Sequence, residues 1–551
     1  MIQLSEEQLN NLNKEALVII VSSLQDQLAS MQSQLDSANA QLADTNRQLE
    51  IFAEQLRLMN QRQFGKRSES ASEINGQLSM FDSFNEVEAT MNSSAPEPEI
   101  TEVIISSYKR SKRKGKREAD LDGLPARVFD HKLSEEELAK KFSNGYKELP
   151  EEVYKRLHVI PETFIVDEHH VHVYASKDNN GKIVRAERPV DLFRNSIATP
   201  ALVASIINGK YVNSLPIERQ ARAFRDNGVK LETNTMSNWV IQSAEKYLSL
   251  VYDRMHELIY DSKVKHADET PVKVMRIDKA KVKNGKKTYM WVYRNNPKSS
   301  KHPIVLYDWQ PSRKADHPRE FLKDFSGIAV TDGYQVYHTL GKERQDLKIA
   351  GCWIHARRPY AEFIKSVGVS AAKGSVAAEA YSMITEMMHI DNEFDDLSNT
   401  DRKKQRQLVL QEKVDAYFEW VKTKYSQVTH NSVIGKALAY SINQEEYLRM
   451  FLTDGRIPMD NNYAEQAIRP FTIARKNFVL IESSNGAKTS AMIFSLTETA
   501  KANGINTYDY LELLLTEIPK HQNDKDLDFL DKLLPWSKDV QNKCPSRFKK
   551  S

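Results

Sequence analysis

The sequence predicts a mixed α/β core that follows an N-terminal coiled coil and a short helical region. A leucine heptad repeat near the N-terminus predicts the coiled coil, and two helical patterns separated by Asn227-Gly228 predict the helical region. From about residue 263, strand-like runs alternate with helical ones, which predicts the core. A chain of 551 residues is long enough for roughly three or four domains.

Composition limits the class of protein. The net charge of +3 is too close to balance to indicate a nucleic-acid partner by itself. Cys352 and Cys544 are the only cysteines, which excludes a disulfide framework and a four-thiolate zinc site. The N-terminus lacks a signal pattern, and the apolar run 17–21 is too short to span a bilayer. We therefore expect a soluble cytoplasmic protein with no membrane partner.

Residues 1–64 are predicted to form a leucine zipper. Every seventh residue over more than four heptads is leucine, and the flanking faces are polar without Pro or Gly. We expect self-association, at least into a dimer, and the alternative is a long surface helix packed on its own domain. The repeated leucines are Leu28, Leu35, Leu42, Leu49 and Leu56.

Residues 65–125 are predicted to be a linker, because they are rich in Ser, Glu, Asn and Pro and have no sustained period. The linker ends in a basic run, which is either a solvated tail or a salt-dependent phosphate contact. Residues 126–196 contain short strand-like runs such as 164–167 and 170–174, which predict a small β-rich domain. The basic candidates for DNA contact are Lys109, Arg110, Lys112, Arg113 and Lys114.

Residues 197–255 have a helix-turn-helix pattern. A helix over 217–226 ends at Asn227-Gly228, and Thr233 is a candidate N-cap for the next helix. That second helix would present Asn234, Ser237 and Asn238 to base edges. The alternative is a helical hairpin with no role in DNA binding.

Residues 256–369 are predicted to begin a catalytic core. Strands at 264–267, 289–293 and 304–307 are followed by a helix at 316–323, a strand at 327–330 and a strand at 349–353, with a further helix between the last two strands. This is the order of a ribonuclease-H-like fold of the retroviral-integrase type, with an antiparallel ribbon first and parallel strands after it. Residues 370–455 are predicted to be a helical insertion, or alternatively a separate helical domain. Residues 456–505 return to the core, and 506–551 form a C-terminal region.

Three carboxylates are candidates for a metal site. Asp268 is expected to close the first strand, and Asp332 follows the fourth, so both would lie at neighbouring strand ends. Glu465 is expected near the middle of a helix capped by Asp460 or Asn461. Hard oxygen ligands suit magnesium, and two ions about 3.5–4 Å apart can serve both the attacking and the leaving oxygen. Spacing alone leaves other carboxylates open, among them Glu269, Asp308, Asp316 and Asp460.

Around these residues the chain resembles the transposases of the bacterial insertion-sequence family sixty-six. The resemblance continues upstream in 64–69 and 215–240 and downstream in 533–536, so it covers nearly the whole chain in order. The motifs that carry it in the core are His266-Ala267-Asp268-Glu269-Thr270-Pro271, Thr331-Asp332-Gly333-Tyr334, Gly351-Cys352-Trp353-Ile354-His355-Ala356-Arg357-Arg358 and Asp460-Asn461-Asn462 through Glu465 to Arg469.

The resemblance implies a DDE-type transposase. Asp268, Asp332 and Glu465 then become its triad, holding two Mg²⁺ or Mn²⁺ ions for cleavage at terminal inverted repeats and strand transfer. The family's small zinc-finger region corresponds to about residues 125–178 and usually carries cysteine pairs. Here Ala139, Lys140 and Lys141 stand near one pair position and Ser176 near the other, which counts against zinc. The basic residues expected to contact DNA near the triad are His355, Arg357, Arg358, Arg469, Arg475 and Lys476.

The sequence therefore predicts a DNA transposase that acts on element ends and target DNA. It would act as a homo-oligomer, with or without small accessory proteins encoded by the same element. The first alternative is a sequence-specific DNA-binding protein whose nuclease fold is inactive. The second alternative is a structural coiled-coil protein that does not act on DNA. Failure to bind any duplex would favour this alternative.

Overall fold

The computed structural model describes residues 21–22, 25–26, 29–32, 163–175, 183–187, 189–277, 287–478, 480–524 and 526–546. The leucines of the predicted zipper and the basic run at 109–117 lie outside these residues. Within the described parts of the chain, no helix is both long enough and apolar enough to cross a membrane.

Five strands form a mixed sheet in the order β6-β5-β3-β7-β8. Strands β5 and β6 pair antiparallel, whereas β7 pairs parallel with both β3 and β8. Two further pairs are small: β1 with β2, antiparallel, and β4 with β9, parallel. The strands are β1 Val173–Ala175, β2 Ile183–Arg185, β3 Val264–Val272, β4 Val274–Arg276, β5 Thr288–Asn295, β6 Val305–Gln310, β7 Gly327–Thr331, β8 Leu347–Gly351 and β9 Ile481–Ser483.

The remaining described residues are mostly helical. Two π-helical turns, Ala244–Leu248 and Arg406–Leu410, continue the preceding α-helices without a break. The α-helices are α1 Pro200–Tyr211, α2 Ile217–Asp226, α3 Thr233–Ser243, α4 Ser249–Leu258, α5 Asp316–Phe321, α6 Gln335–Glu343, α7 Trp353–Val367, α8 Val369–Ala372, α9 Val376–Glu393, α10 Asn399–Gln405, α11 Gln411–Tyr425, α12 Val433–Asn443, α13 Glu445–Leu448, α14 Asn462–Phe478, α15 Ser484–Ala502, α16 Thr507–Glu517, α17 Leu530–Leu533 and α18 Lys538–Lys543.

The described chain divides into two compact units. The first contains Lys263–Ala267 and Pro318–Asn462, and the second contains Asp268–His317, the helices α1 to α4 and the chain from Tyr463 onward. Strand β3 therefore contributes its first half to one unit and its second half to the other.

In the first unit, the helices between 370 and 455 share one apolar core with the parallel strands. Val330 of β7 and Ala350 of β8 belong to the same buried cluster as side chains of α9, α11 and α12. Trp353 is fully buried in this cluster, and its indole Nε1 donates to the carbonyl oxygen of Leu448 at 2.9 Å. Burying the indole with its N–H paired avoids the cost of an unsatisfied donor.

In the second unit, α15 covers the edge strand β6. Edge strands carry unpaired backbone groups that need a partner or a cover. Here hydroxyl side chains of the helix supply the partner: Ser495 Oγ accepts from the Tyr307 amide at 2.7 Å, and Thr499 Oγ1 accepts from the Val305 amide at 3.0 Å. This explains why a largely buried helix is rich in Ser and Thr.

The structure confirms some of the sequence predictions and corrects others. The helix over Ile217–Asp226 is present with the predicted bounds, and Gly228 has a positive φ of 84°. Thr233 begins α3 but does not cap it, because Glu232 occupies the N-cap position without a side-chain bond. The run 164–167 forms no strand. The strand expected at 349–353 is instead Leu347–Gly351, and Trp353 begins α7.

Candidate active site

Asp268 lies inside β3 and does not close it. The strand continues to Val272. The Asp268 side chain is half-buried, and its Oδ1 accepts from the backbone amide of Glu269 at 2.8 Å. This bond fixes the direction of the carboxylate relative to the strand.

The neighbouring acid, Glu269, has a buried side chain that is paired with an arginine. Its side chain is only 1% exposed and forms an ion pair with Arg313, whose Nε donates to Glu269 Oε1 at 2.7 Å. A carboxylate already neutralised by an arginine is a poor candidate for a metal ligand. The pairing of Glu269 with Arg313 therefore counts against Glu269 as the metal ligand of this strand.

Asp332 directly follows β7, as the sequence predicted. Its Oδ1 accepts from the Tyr334 amide at 3.0 Å, and Gly333 between them has a positive φ of 91°. The hydroxyl of Tyr440 in α12 donates to the backbone oxygen of Asp332 at 2.7 Å. A Cβ at Gly333 would lie 2.8 Å from that hydroxyl, so the turn requires glycine both for its conformation and for this close approach.

Glu465 lies in the first turn of α14. The prediction that it lies near the middle of the helix was therefore wrong. Asp460 Oδ1 accepts from the Asn462 amide at 3.0 Å, so Asp460 supports the start of this helix. The side chain of Asn461 contacts β3 instead: it bonds to His266 Nδ1 and to the carbonyl oxygen of Ala267. Sequence reasoning assigned no site role to Asn461, His266 or Tyr440.

The candidate DNA-contacting residues of α7, His355, Arg357 and Arg358, lie in its first two turns and are half-buried. His355 and Arg358 follow the start of the helix at Trp353. Arg357 is held by α9, because its Nη1 donates to Thr385 Oγ1 at 3.1 Å and its guanidinium lies 5.3 Å from the Tyr381 ring centroid. These contacts give Arg357 a packing role inside the first unit.

The basic residues of α14 differ in their surroundings. Arg469 is half-buried and Lys476 is exposed. Arg475 Nη1 donates to Thr270 Oγ1 at 3.2 Å and also to the carbonyl oxygen of Pro271, and burial lowers the pKa of its guanidinium. Arg475 therefore contacts the half of β3 that follows Asp268.

The candidate base-reading residues lie on α3. Asn234 and Asn238 are exposed and Ser237 is half-buried, whereas Met236 and Trp239 on the opposite side of the helix are buried. The polar face is therefore open to solvent, as a recognition helix requires.

Carboxylate oxygens are the ligands that Mg²⁺ and Mn²⁺ prefer, so the chemistry of the three acids fits such an ion. In the part of the chain that the structure describes, no group of three or more His, Cys, Asp or Glu side chains is arranged to hold a metal ion.

Comparison with known proteins decides the family. A family model described as "Transposase IS66 family" matches residues 195–489. The chain belongs to the IS66 family of transposases. A model of the IS66 C-terminal element matches residues 495–536, and one described as "Transposase C of IS166 homeodomain" matches residues 51–128. The resemblance carried by the sequence motifs is thus confirmed.

Relatives of this IS66 protein occur in Sinorhizobium fredii (strain NBRC 101917 / NGR234). The uncharacterized protein y4qI is 31% identical over 392 residues, which are 70% of this chain and 70% of that protein. The uncharacterized protein y4jD is 28% identical over 372 residues, which are 66% of this chain and 71% of that protein. Membership in the IS66 family implies a DNA-transposing enzyme, and DDE transposases generally use divalent metal ions.

Proposed function

We propose that this protein is a DDE transposase that cleaves DNA at the terminal inverted repeats of its element and transfers the freed 3′-hydroxyl to target DNA. Asp268, Asp332 and Glu465 are its metal-binding triad. The order of strands and helices from β3 to β8, with β5 and β6 antiparallel and β7 parallel to its neighbours, supports a ribonuclease-H-like core.

The strand register is the main observation that supports the triad. His266 of β3 and Val330 of β7 are paired in the parallel ladder. Asp268 lies two residues after His266, and Asp332 lies two residues after Val330. Both acids therefore follow a paired position of neighbouring parallel strands by the same number of residues, which supports their assignment to one proposed site.

The three carboxylates would hold two Mg²⁺ or Mn²⁺ ions, which activate an attacking oxygen and stabilise a leaving one when bound. The protein's own part is to aim the carboxylates and to position DNA. Backbone amides already orient Asp268 and Asp332. His355, Arg358 and Arg469 are proposed to contact DNA phosphates near the triad, because guanidinium and imidazolium groups pair with phosphate oxygens.

The wider organisation is proposed from the sequence. Residues 1–64 would associate chains as a coiled coil, and the basic run at 109–117 would contact phosphates without sequence preference. The exposed face of α3 would read base edges, because it carries Asn234 and Asn238 next to the half-buried Ser237. The competing candidate function is a DNA-binding regulator with an inactive nuclease fold.

Strand cleavage by the purified full-length chain tests the proposal. The substrate is a labelled duplex carrying the inverted repeat that flanks the gene, incubated with MgCl₂ and analysed on denaturing gels. We expect Asp268→Asn, Asp332→Asn and Glu465→Gln each to reduce cleavage at least about a hundredfold, because each removes a negative metal ligand. Gel-shift affinity for the same duplex in EDTA should remain close to that of the wild type.

Matched controls are Asp324→Asn and Glu362→Gln, which neutralise exposed acids outside the proposed triad and should leave cleavage unchanged. Full cleavage by all three triad variants would refute the assignment. Tight and specific binding by the wild type without any metal-dependent cleavage would favour the inactive regulator.

A further inference from the structure

Asn461 makes two side-chain hydrogen bonds to consecutive residues of β3. Its Nδ2 donates to the carbonyl oxygen of Ala267 at 2.9 Å, so its Oδ1 is left as the acceptor for His266 Nδ1, also at 2.9 Å. This arrangement assigns the Nδ1 proton to His266. Both Asn461 and His266 are 0% exposed, so neither bond competes with solvent.

The backbone beside Asn461 is bound to a second part of the first unit. The Asn461 amide donates to Cys352 Sγ at 3.2 Å, and the Trp353 amide donates to the carbonyl oxygen of Met459 at 2.8 Å. Residues 459–461 therefore connect the middle of β3 with the start of α7, the helix that carries His355 and Arg358.

We propose that Asn461 is a positioning residue for metal binding, a role that rests on the proposed function. It acts through Ala267, the residue directly before Asp268 in β3. It also precedes α14, in which Glu465 is the fourth residue. One buried amide thus fixes the chain immediately before two of the three proposed ligands.

Metal ligands are sensitive to this kind of support. Partners that orient a ligand typically change metal affinity or activity about 10–100-fold when they are removed. An Asn461→Ala variant loses both bonds to β3 and leaves His266 Nδ1 without its acceptor. A merely structural asparagine would lower stability but would not change the metal concentration at which the remaining folded protein works.

The experiment measures Mn²⁺ binding to the full-length chain with the terminal-repeat duplex bound, by the EPR signal of free Mn²⁺. Asp268→Asn with the same duplex gives the background from DNA. Mg²⁺ half-saturation of cleavage is measured in parallel. We expect Asn461→Ala to weaken the Asp268-dependent Mn²⁺ binding, and to raise the half-saturating Mg²⁺ concentration, by about tenfold.

Asn295→Ala is the matched control for loss of a buried asparagine. Asn295 is 1% exposed; its Nδ2 donates to Ser300 Oγ and to the carbonyl oxygen of His302, and its Oδ1 accepts from the Ile304 amide. This variant should lose stability without a shift in either metal measurement.

Substitutions at His266 give an independent test if Asn461→Ala fails to fold. His266→Asn can place an amide N–H near the position of Nδ1 and should retain near-wild-type metal binding. His266→Leu removes the donor that holds the Asn461 amide in this orientation, so it should weaken metal binding in the same direction as Asn461→Ala. Equal metal binding by these two variants would overturn the positioning role.

The outcomes separate this inference from the proposed function. If the wild type and Asp268→Asn bind Mn²⁺ equally, the proposed triad fails, and the positioning role fails with it. If they differ but Asn461→Ala matches the wild type, only the role of Asn461 is overturned. Equal changes in metal binding in Asn461→Ala and Asn295→Ala would also overturn the role of Asn461, because the change would then follow from lost stability alone.

Discussion

Arg406 and Asp391 form a buried bidentate ion pair in the first unit. Arg406 Nε donates to Asp391 Oδ1 at 2.6 Å, and Nη2 donates to Oδ2 at 2.9 Å. The remaining Nη1 donates to the carbonyl oxygens of Phe451 and Ile457 at 2.9 and 2.8 Å. One guanidinium therefore connects α9 with the chain that leads into Asn461 and α14.

Replacing Arg406 should destabilise the protein strongly. Arg406→Met leaves Asp391 paired with Arg402 alone and removes the donor to two backbone carbonyl oxygens. The cost should therefore approach the roughly 3–5 kcal/mol that follows when one member of a buried pair is removed. Urea unfolding followed by tryptophan fluorescence would show this as a lower midpoint of the transition that reports on Trp353.

Arg449→Met is the control for that substitution. Arg449 is 28% exposed and pairs with Asp415, which is 51% exposed, at 2.5 Å. Its removal should cost less than about 1 kcal/mol, because solvent screens exposed pairs. Similar shifts of the midpoint in both variants would contradict the idea that burial makes the difference.

Asp308 should make stability depend on pH. Burial raises the pKa of Asp308 to about 6, against a smaller lowering by the hydrogen bond from Gln310 and the charge of Lys488. The folded state thus holds this proton more tightly than the unfolded state. The raised pKa of Asp308 therefore contributes to the free energy of unfolding. This contribution is complete below the ordinary carboxyl pKa and is lost as pH rises through about 6.

Asp308→Asn cannot ionise, so it should be more stable than the wild type above pH 6, by about 1–2 kcal/mol. The gain should shrink towards pH 4 in urea titrations. Asp454→Asn is the control of opposite sign, because the hydrogen bonds from Arg456 lower the pKa of Asp454. That variant should be slightly less stable at neutral pH, and the gap should close in acid. A pH-independent effect at Asp308 would contradict the argument.

The exposed face of α3 should govern sequence preference. Asn234→Ala and Asn238→Ala each remove an amide that can bond to a base edge, with a cost of about 1–3 kcal/mol at the preferred site. Competition gel shifts with terminal-repeat and scrambled duplexes measure this as reduced discrimination. Asn443→Ala, an exposed asparagine at the end of α12, is the control. Unchanged discrimination in both α3 variants would assign base reading to another element.

The basic run should set the salt dependence of DNA binding. Changing Lys112, Arg113 and Lys114 to glutamine should reduce the slope of log affinity against log salt by up to about 0.9 for each phosphate that is no longer neutralised. The effect should be equal for specific and scrambled duplexes. The control changes Lys403 and Lys404, exposed lysines of α10, which should leave the slope unaltered. An unaltered slope in the run variant would identify the run as a solvated tail.

Local signals in the sequence predicted much of the fold. The end of α2 at Asn227-Gly228 was predicted in this way, because glycine frees the backbone wherever it occurs. The sequence of strands and helices in the core was also readable from periodicity. The extension of β3 past Pro271 could not be predicted in this way, because the length of a strand also depends on pairing with other segments, here β5 and β7.

Residue types in their order along the chain were enough to indicate the family, the mixed α/β core and the carboxylates to be tested. The folded structure was needed to show that Glu269 is paired with Arg313, and which asparagine of Asp460-Asn461-Asn462 bonds to β3. It also placed Arg406 against Asp391. Charge pairing and burial arise between segments far apart in the chain, so local pattern and propensity carry no information about them.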